Sequence, residues 1–531
     1  MYIVYVKYSN MYIKIYQIKS ALLYLVCVSF FLTSCNSKLD YTIETTLNPN
    51  QIAPLTAMLN ITSEVPVQAS IKVLGDIPVE QSFEESNTSL NIPVLGLYPN
   101  KLNKVEVTLN YDGGKQVEMI EIQTSEVPSF FPEIGINKIE KEKMEPGMHA
   151  LDIHFANFGK FRSVPIIFDD NGQIRWYLDL SFHKAMAGPF QKIKNGNILV
   201  AGRNTIYELD MIGTMLNMTK INSNYGIHHD VLELPNGDLL LCVGKRDAYI
   251  ENGGETILSD SDFMIHFDRR QSKIIKEWDL AKHLDVDRRV TINQAQNVFT
   301  NGDWLHMNSL EFNERDSTII VSGRNQGLIK VTWDDKLKWI MSPKKNWGKS
   351  GRKGKGYDTK PYLLTAINQE GKPYNKDIQN GVKSAEDFDF PWGPHAPFLM
   401  PNGNIVVFDN GPYRNYGNDN KYSRAVEYQV NENNKTFQQV WEYGKARGFD
   451  FFSGIVSDVD LLSETKNILV TSGFISPRNV HRAKVVEVST ENNKEVFEAT
   501  IFFKNTNRDL NKPGWGQSDV LYRSERMELK F

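Results

Sequence analysis

Three histidines occupy matching places along the chain. His229 stands six residues before Pro235-Asn236-Gly237-Asp238, and His395 stands six residues before Pro401-Asn402-Gly403-Asn404. His306 precedes Asp316-Ser317-Thr318 at similar range. The chain has only ten histidines, so three at equivalent places of a repeat point to a site. Arg324 directly follows the apolar run Ile319–Val321 and the small residues Ser322 and Gly323. A guanidinium in that setting suits a tetrahedral oxyanion, which it can hold through two parallel hydrogen bonds. Two chemistries fit His and Arg with no obvious acidic partner. A histidine can attack a phosphoryl or sulfuryl group while the other donors hold its oxygens. Alternatively, three histidines can hold a metal. A structural reading stands beside both: the histidines lock blades of a surface propeller that binds glycans or proteins, and Arg324 lies in a turn. His228 is beside His229, so either could be the functional member of the pair. In a regular strand His229 and Asp230 would face opposite ways, and Asn308 would share a face with His306. No Walker-type phosphate loop and no Gly-x-Ser-x-Gly elbow occurs.

The elements that must position these residues form a repeat. One half is a turn followed by an apolar strand, at Asn195-Gly196, Pro235, Asp316, Pro401 and Lys466-Asn467. The other is a strand ending near Trp176, Trp278, Trp339 and Trp441. Recurrent short strands of this kind predict a β-propeller. Copies start near 188, 229, 306, 395 and 455. A half copy at 152–180 can be completed by Asp519-Val520-Leu521-Tyr522, which makes six blades; seven is the alternative. Long insertions near 280–300 and 343–388 are expected to shape the binding face. Residues 36–130 alternate in short strands and predict a small N-terminal β-sandwich. Residues 131–150, with Pro132 and Pro146, read as a linker, and 151–531 as the propeller. The fold class expected is therefore all-β.

Composition narrows the class further. At 531 residues, 41% hydrophobic and 23% charged, the chain is an ordinary globular protein with room for two domains. A net charge of −4 argues against a general nucleic-acid binder. Residues 1–35 read as a secretion signal: Lys14 and Lys19 precede the apolar run Ala21–Leu32, which is too short for an ordinary membrane span. The ending Leu32-Thr33-Ser34-Cys35 is similar to a bacterial lipobox, with Cys35 as the lipidated first residue. Met11 is an alternative start. The protein is thus expected to be an exported lipoprotein of a Gram-negative cell, periplasmic or at the surface, bound to membrane through its N-terminal lipid. Of the three cysteines, only Cys242 lies within the body, where it reads as a buried thiol.

The stretches His228-His229-Asp230 with Leu234-Pro235-Asn236-Gly237, Asp303-Trp304-Leu305-His306-Met307-Asn308-Ser309 with Val321-Ser322-Gly323-Arg324-Asn325-Gln326-Gly327, and His395-Ala396-Pro397 with Leu399-Met400-Pro401-Asn402-Gly403-Asn404 and Phe408-Asp409-Asn410-Gly411 resemble the bacterial arylsulfate sulfotransferase family. The resemblance runs over nearly the whole mature chain and includes Gly96-Leu97-Tyr98-Pro99-Asn100. It implies a six-bladed propeller that moves a sulfuryl group from a phenolic sulfate donor to a phenol acceptor, with no cofactor and no nucleotide donor. It implies that His395 carries the sulfuryl group in a ping-pong mechanism, that His306 and Arg324 grip the sulfate oxygens, and that His229 assists binding or proton transfer. Asn308 and His228 are expected to contact substrate. Trp392, Phe390 and Tyr413, near the site in sequence, are candidate walls for the phenol ring. The resemblance also allows a homodimer formed through the N-terminal domain. The long insertion between Arg324 and His395 leaves substrate range open, and with it the balance between transfer and hydrolysis.

Overall fold

The computed structural model describes residues 39–157, 160–181, 190–252, 254–288, 302–417, 421–476, 481–504 and 518–531. Cys35 and the rest of the expected signal segment lie outside them. The described residues form six blades built on four-stranded antiparallel ladders, preceded by a five-stranded sheet. The first blade runs Phe190–Lys192, Ile198–Gly202, Thr205–Leu209, Met215–Lys220. The second to fifth begin at the inner strands Tyr225–Glu233, Met307–Asn313, Pro394–Leu399 and Asp458–Leu461. The sixth joins the C-terminal strand Val520–Met527 to Met148–Asn157, Lys160–Phe168 and Ile174–Tyr177. The expected closure of the ring by the last residues is therefore what the chain does. Round the hub, from the second blade to the sixth, each inner strand touches the next.

The two repeated sequence features have separate jobs. The turns put Gly196, Gly237 and Gly403 at φ of 88°, 85° and 88°, where a residue without Cβ is unstrained. In the same turns, the backbone N–H groups of Leu234 and Met400 donate across the turn to the carbonyls of Asp238 and Asn404. The tryptophans join blades. Trp176 of the sixth blade donates to Met211 O of the first, Trp339 of the third to Glu432 of the fourth, and Trp441 of the fourth to Asn493 of the fifth. Trp278 instead packs edge-on against Trp333 of the third blade at 5.0 Å.

The N-terminal sandwich takes the form of one continuous sheet. Ala57–Val73 pairs along its length with Val79–Val94, and on its other edge with Tyr41–Leu47 and then Leu102–Tyr111. Buried Arg175 fastens it to the sixth blade: its guanidinium lies 3.6 Å over the Tyr98 ring, donates to Gly96 O and Ile77 O, and pairs with Asp169. Two segments differ from expectation. The 131–150 stretch is not a free connection: Glu133–Ile139 adds a fifth strand to the outer edge of the fifth blade. Period-two patterning of an edge strand is faint when neither face is fully covered, and the prolines obscured it. The 343–388 insertion packs along the blades. Arg352 pairs with Asp262 and Asp279 of the second blade, and Thr365–Ala366 joins the outer strand of the fourth in parallel.

Candidate functional site

Regular strand pairing fails where the candidate residues lie. The ladder slips between Ile227 and Val231, Met307 and Ser309, His395 and Phe398, and Leu521 and Arg523. Four inner strands are thus interrupted at the hub. Such irregularities bend a strand and re-aim its side chains. Three non-glycine residues at these places adopt left-handed backbone, His229 (φ 53°), His306 (φ 50°) and Ala396 (φ 49°), a conformation that costs about 1–3 kcal/mol and clusters at functional sites. Strict alternation therefore does not apply at His228-His229-Asp230. His228 and His229 bring their Nδ1 atoms to 2.8 Å, so one ring donates to the other, while Asp230 pairs with Arg523 at 2.9 Å.

The rings converge from separate blades. His229 lies edge-on to His306 with centroids 4.8 Å apart. His395 lies edge-on to Tyr522 at 5.2 Å, and Tyr522 is 6.3 Å from His229. Tyr522 is held by stacking on His154 at 5.1 Å. His306 Nδ1 bonds Asp303 Oδ2 at 2.6 Å, which fixes the orientation of the ring. Arg324 is buried; its backbone donates to His306 O and its Nη2 to Gly454 O at 2.8 Å. The Arg324 side chain passes Gly393, with Cγ at 3.9 Å from where a Cβ would stand. The Asn308 amide donates to Pro394 O at 2.8 Å, beside the Ser322 hydroxyl at 2.9 Å, while its Oδ1 is buried with no hydrogen-bond partner among the described residues. Two donors thereby fix the carbonyl that precedes His395.

Burial sets the charge state. Desolvation lowers His395 well below the ordinary histidine range, and the guanidinium charges of Arg523 and Arg324 push it further down. His229 is lowered in the same way by burial and by His306, and His228 falls to about 4, again chiefly through burial. These imidazoles are neutral at pH 7. His395 Nδ1 is buried and has no hydrogen-bond partner among the described residues. No group of three His, Cys, Asp or Glu among the described residues is arranged to hold a metal ion.

A family profile described as Arylsulfotransferase (ASST) matches residues 136–509, and one described as Arylsulfotransferase Ig-like domain matches 44–125. The chain belongs to the arylsulfotransferase family. Two relatives, both called arylsulfate sulfotransferase AssT, support this assignment. One from Escherichia coli O6:H1 is 28% identical over 475 residues, covering 74% of this chain and 77% of its own. The other, from Lelliottia amnigena, is 28% identical over 519 residues, covering 81% and 84%. Among solved structures, a quinoprotein alcohol dehydrogenase-like protein from Bacteroides thetaiotaomicron aligns at TM-score 0.32 and 9% identity, covering 88% of this chain and 94% of its own. That likeness is too loose to bear on function.

In this arylsulfotransferase, three groups near the histidines carried no role in the sequence reading. Asp303 opens the stretch Asp303-Trp304-Leu305-His306 and supplies the acidic partner of His306. Tyr522 and Arg523 had no signal beyond belonging to the closing strand. Phe390 and Trp392 are fully buried in the fourth-blade core, Trp392 bonded to Asp389, so they are packing and not walls. Tyr413 is half-buried.

Proposed function

We propose that this arylsulfate sulfotransferase works in two half-reactions through a sulfated His395. In the first, the His395 Nδ1 lone pair attacks the sulfur of an aryl sulfate, the sulfur–aryl oxygen bond breaks, and the phenolate leaves. In the second, the acceptor phenol oxygen attacks that sulfur and the nitrogen–sulfur bond breaks. The phenol proton passes to a neutral imidazole, and His395 returns to its starting state. His306 suits the base, since Asp303 accepts from its Nδ1–H and so orients Nε2. Arg324 offsets the charge spread over the sulfuryl oxygens, and His229 lies within ring contact of His306 to share the proton or the anion. Asn308 positions His395 through Pro394. Export and lipid attachment at Cys35 belong to the same reading, because the apolar run before Leu32-Thr33-Ser34-Cys35 has the form of a signal.

The observation that carries the mechanism is the His395 ring, buried against Tyr522 with Nδ1 lacking a hydrogen-bond partner among the described residues. The test is exposure to 4-nitrophenyl sulfate with no acceptor, followed by rapid quenching and peptide mass analysis. A sulfuryl adduct on the peptide containing His395, discharged by added phenol and absent from folded His395→Ala, is the expected result. An adduct elsewhere, or transfer undiminished in His395→Ala, would remove the proposal.

A further inference from the structure

We infer that Arg523, on the strand that closes the ring, is a second guanidinium of the sulfuryl-group site, with Asp230 holding one arm and the remaining donors offered to the oxygens of the bound sulfate ester. This rests on the functional reading above and deepens it.

Asp230 is fully engaged as a holder. One of its oxygens accepts from Arg523 Nη1 at 2.9 Å and the other from the backbone of Leu310 at 2.7 Å. Arg523 is not. Its Nε and Nη2 are shielded from water and have no hydrogen-bond partner among the described residues. Buried N–H groups of a cation left unmatched are costly, by roughly 1–3 kcal/mol each, so a structure that keeps them is set to receive an acceptor. The location identifies that acceptor. Arg523 follows Tyr522, whose ring touches His395, and the guanidinium lies 5.5 Å from the Tyr522 ring centre. The slip in pairing between Leu521 and Arg523 lets adjacent residues of one strand both serve the hub. Among side-chain charges acting on His395, Arg523 ranks ahead of Arg324. Nε–H and one Nη2–H form the planar two-pronged donor that matches two oxygens of a tetrahedral monoester. Arg324 and Arg523 reach the hub from the third and sixth blades, so the site would meet the anion with a cation from each of two blades.

A purely structural latch, tying the closing strand to Asp230, is the competing role, and the experiment separates them. Arg523→Gln and Arg523→Lys are compared with the wild type for thermal stability, for affinity toward inorganic sulfate by calorimetry, and for donor KM and kcat with 4-nitrophenyl sulfate. The expected result is sulfate affinity weakened and donor KM raised by about tenfold or more in Arg523→Gln, with partial recovery in Arg523→Lys and acceptor phenol KM little changed. Unchanged sulfate affinity and donor KM in a folded Arg523→Gln protein would overturn the inference. So would a loss of stability in both variants with donor and acceptor constants moved alike. Should Arg523→Gln not fold, Arg523→Lys decides: donor KM equal to the wild type counts against the inference. Sulfate binding is read without turnover, so failure of the sulfated-histidine mechanism would remain distinguishable from failure here.

Discussion

In the mechanism proposed, the attacking histidine must be neutral, and burial at His395 favours that form. An imidazole with an ordinary pKa of about 6.5 would lose its nucleophilic form through the mildly acidic range. Burial, Arg523 and Arg324 all lower His395, so protonation is displaced to more acidic pH. The donor half-reaction should therefore hold its rate from about pH 8 down to about pH 5.5, read as nitrophenol release in single turnovers. A rate falling tenfold per unit below about pH 6.5 would mean an ordinary histidine attacks. In the same proposed mechanism the acceptor half-reaction depends on a different residue. Asp303→Asn removes the anion that orients His306. Its expected effect is a loss of about 10²-fold in the acceptor step with little change in donor KM.

At the scale of single elements, local chemistry made much of this protein legible. The Pro-Asn-Gly turns and outer-strand tryptophans marked the blades because each acts through bonds to near neighbours or to the adjacent blade. Gly237 isolates the turn contribution. It sits at φ 85° with nothing within 4 Å of where a Cβ would stand, so Gly237→Ala adds backbone strain without a clash. The cost expected is about 1–2 kcal/mol in denaturant unfolding, with activity retained. Elements without such marks were harder to read. Glu133–Ile139 passed for a linker because its partner, the outer strand Glu495–Phe502, comes more than three hundred residues later. Phe390 and Trp392 passed for substrate walls because closeness in sequence to His395 says nothing about which side of the blade a ring enters.

The whole molecule couples ring closure to the hub. Asp230 and Arg523 are 293 residues apart, and their contact exists only when the C-terminal strand completes the sixth blade. The opposite terminus concerns placement in the cell. No helix among the described residues is long and apolar enough to cross a membrane, and the attachment proposed is the lipid on Cys35. Expressed in a Gram-negative host, the native chain should fractionate with membranes and label with palmitate, and Cys35→Ser should do neither. Membrane recovery undiminished by that change would exclude the lipid anchor.

The sequence alone determined the all-β class, the six blades, the family and the identity of three histidines and one arginine worth testing. These rest on turn chemistry, strand periodicity and short motifs, whose physics is local. The tertiary structure alone decided that His228 and His229 both enter the cluster, that Asn308 braces a carbonyl, and that Tyr522 packs on His395 with the Arg523 guanidinium near the same tyrosine ring. Those outcomes depend on slipped strand pairing and on contacts across the ring, where the strands that meet are set by closure of the whole chain and not by any neighbouring residue.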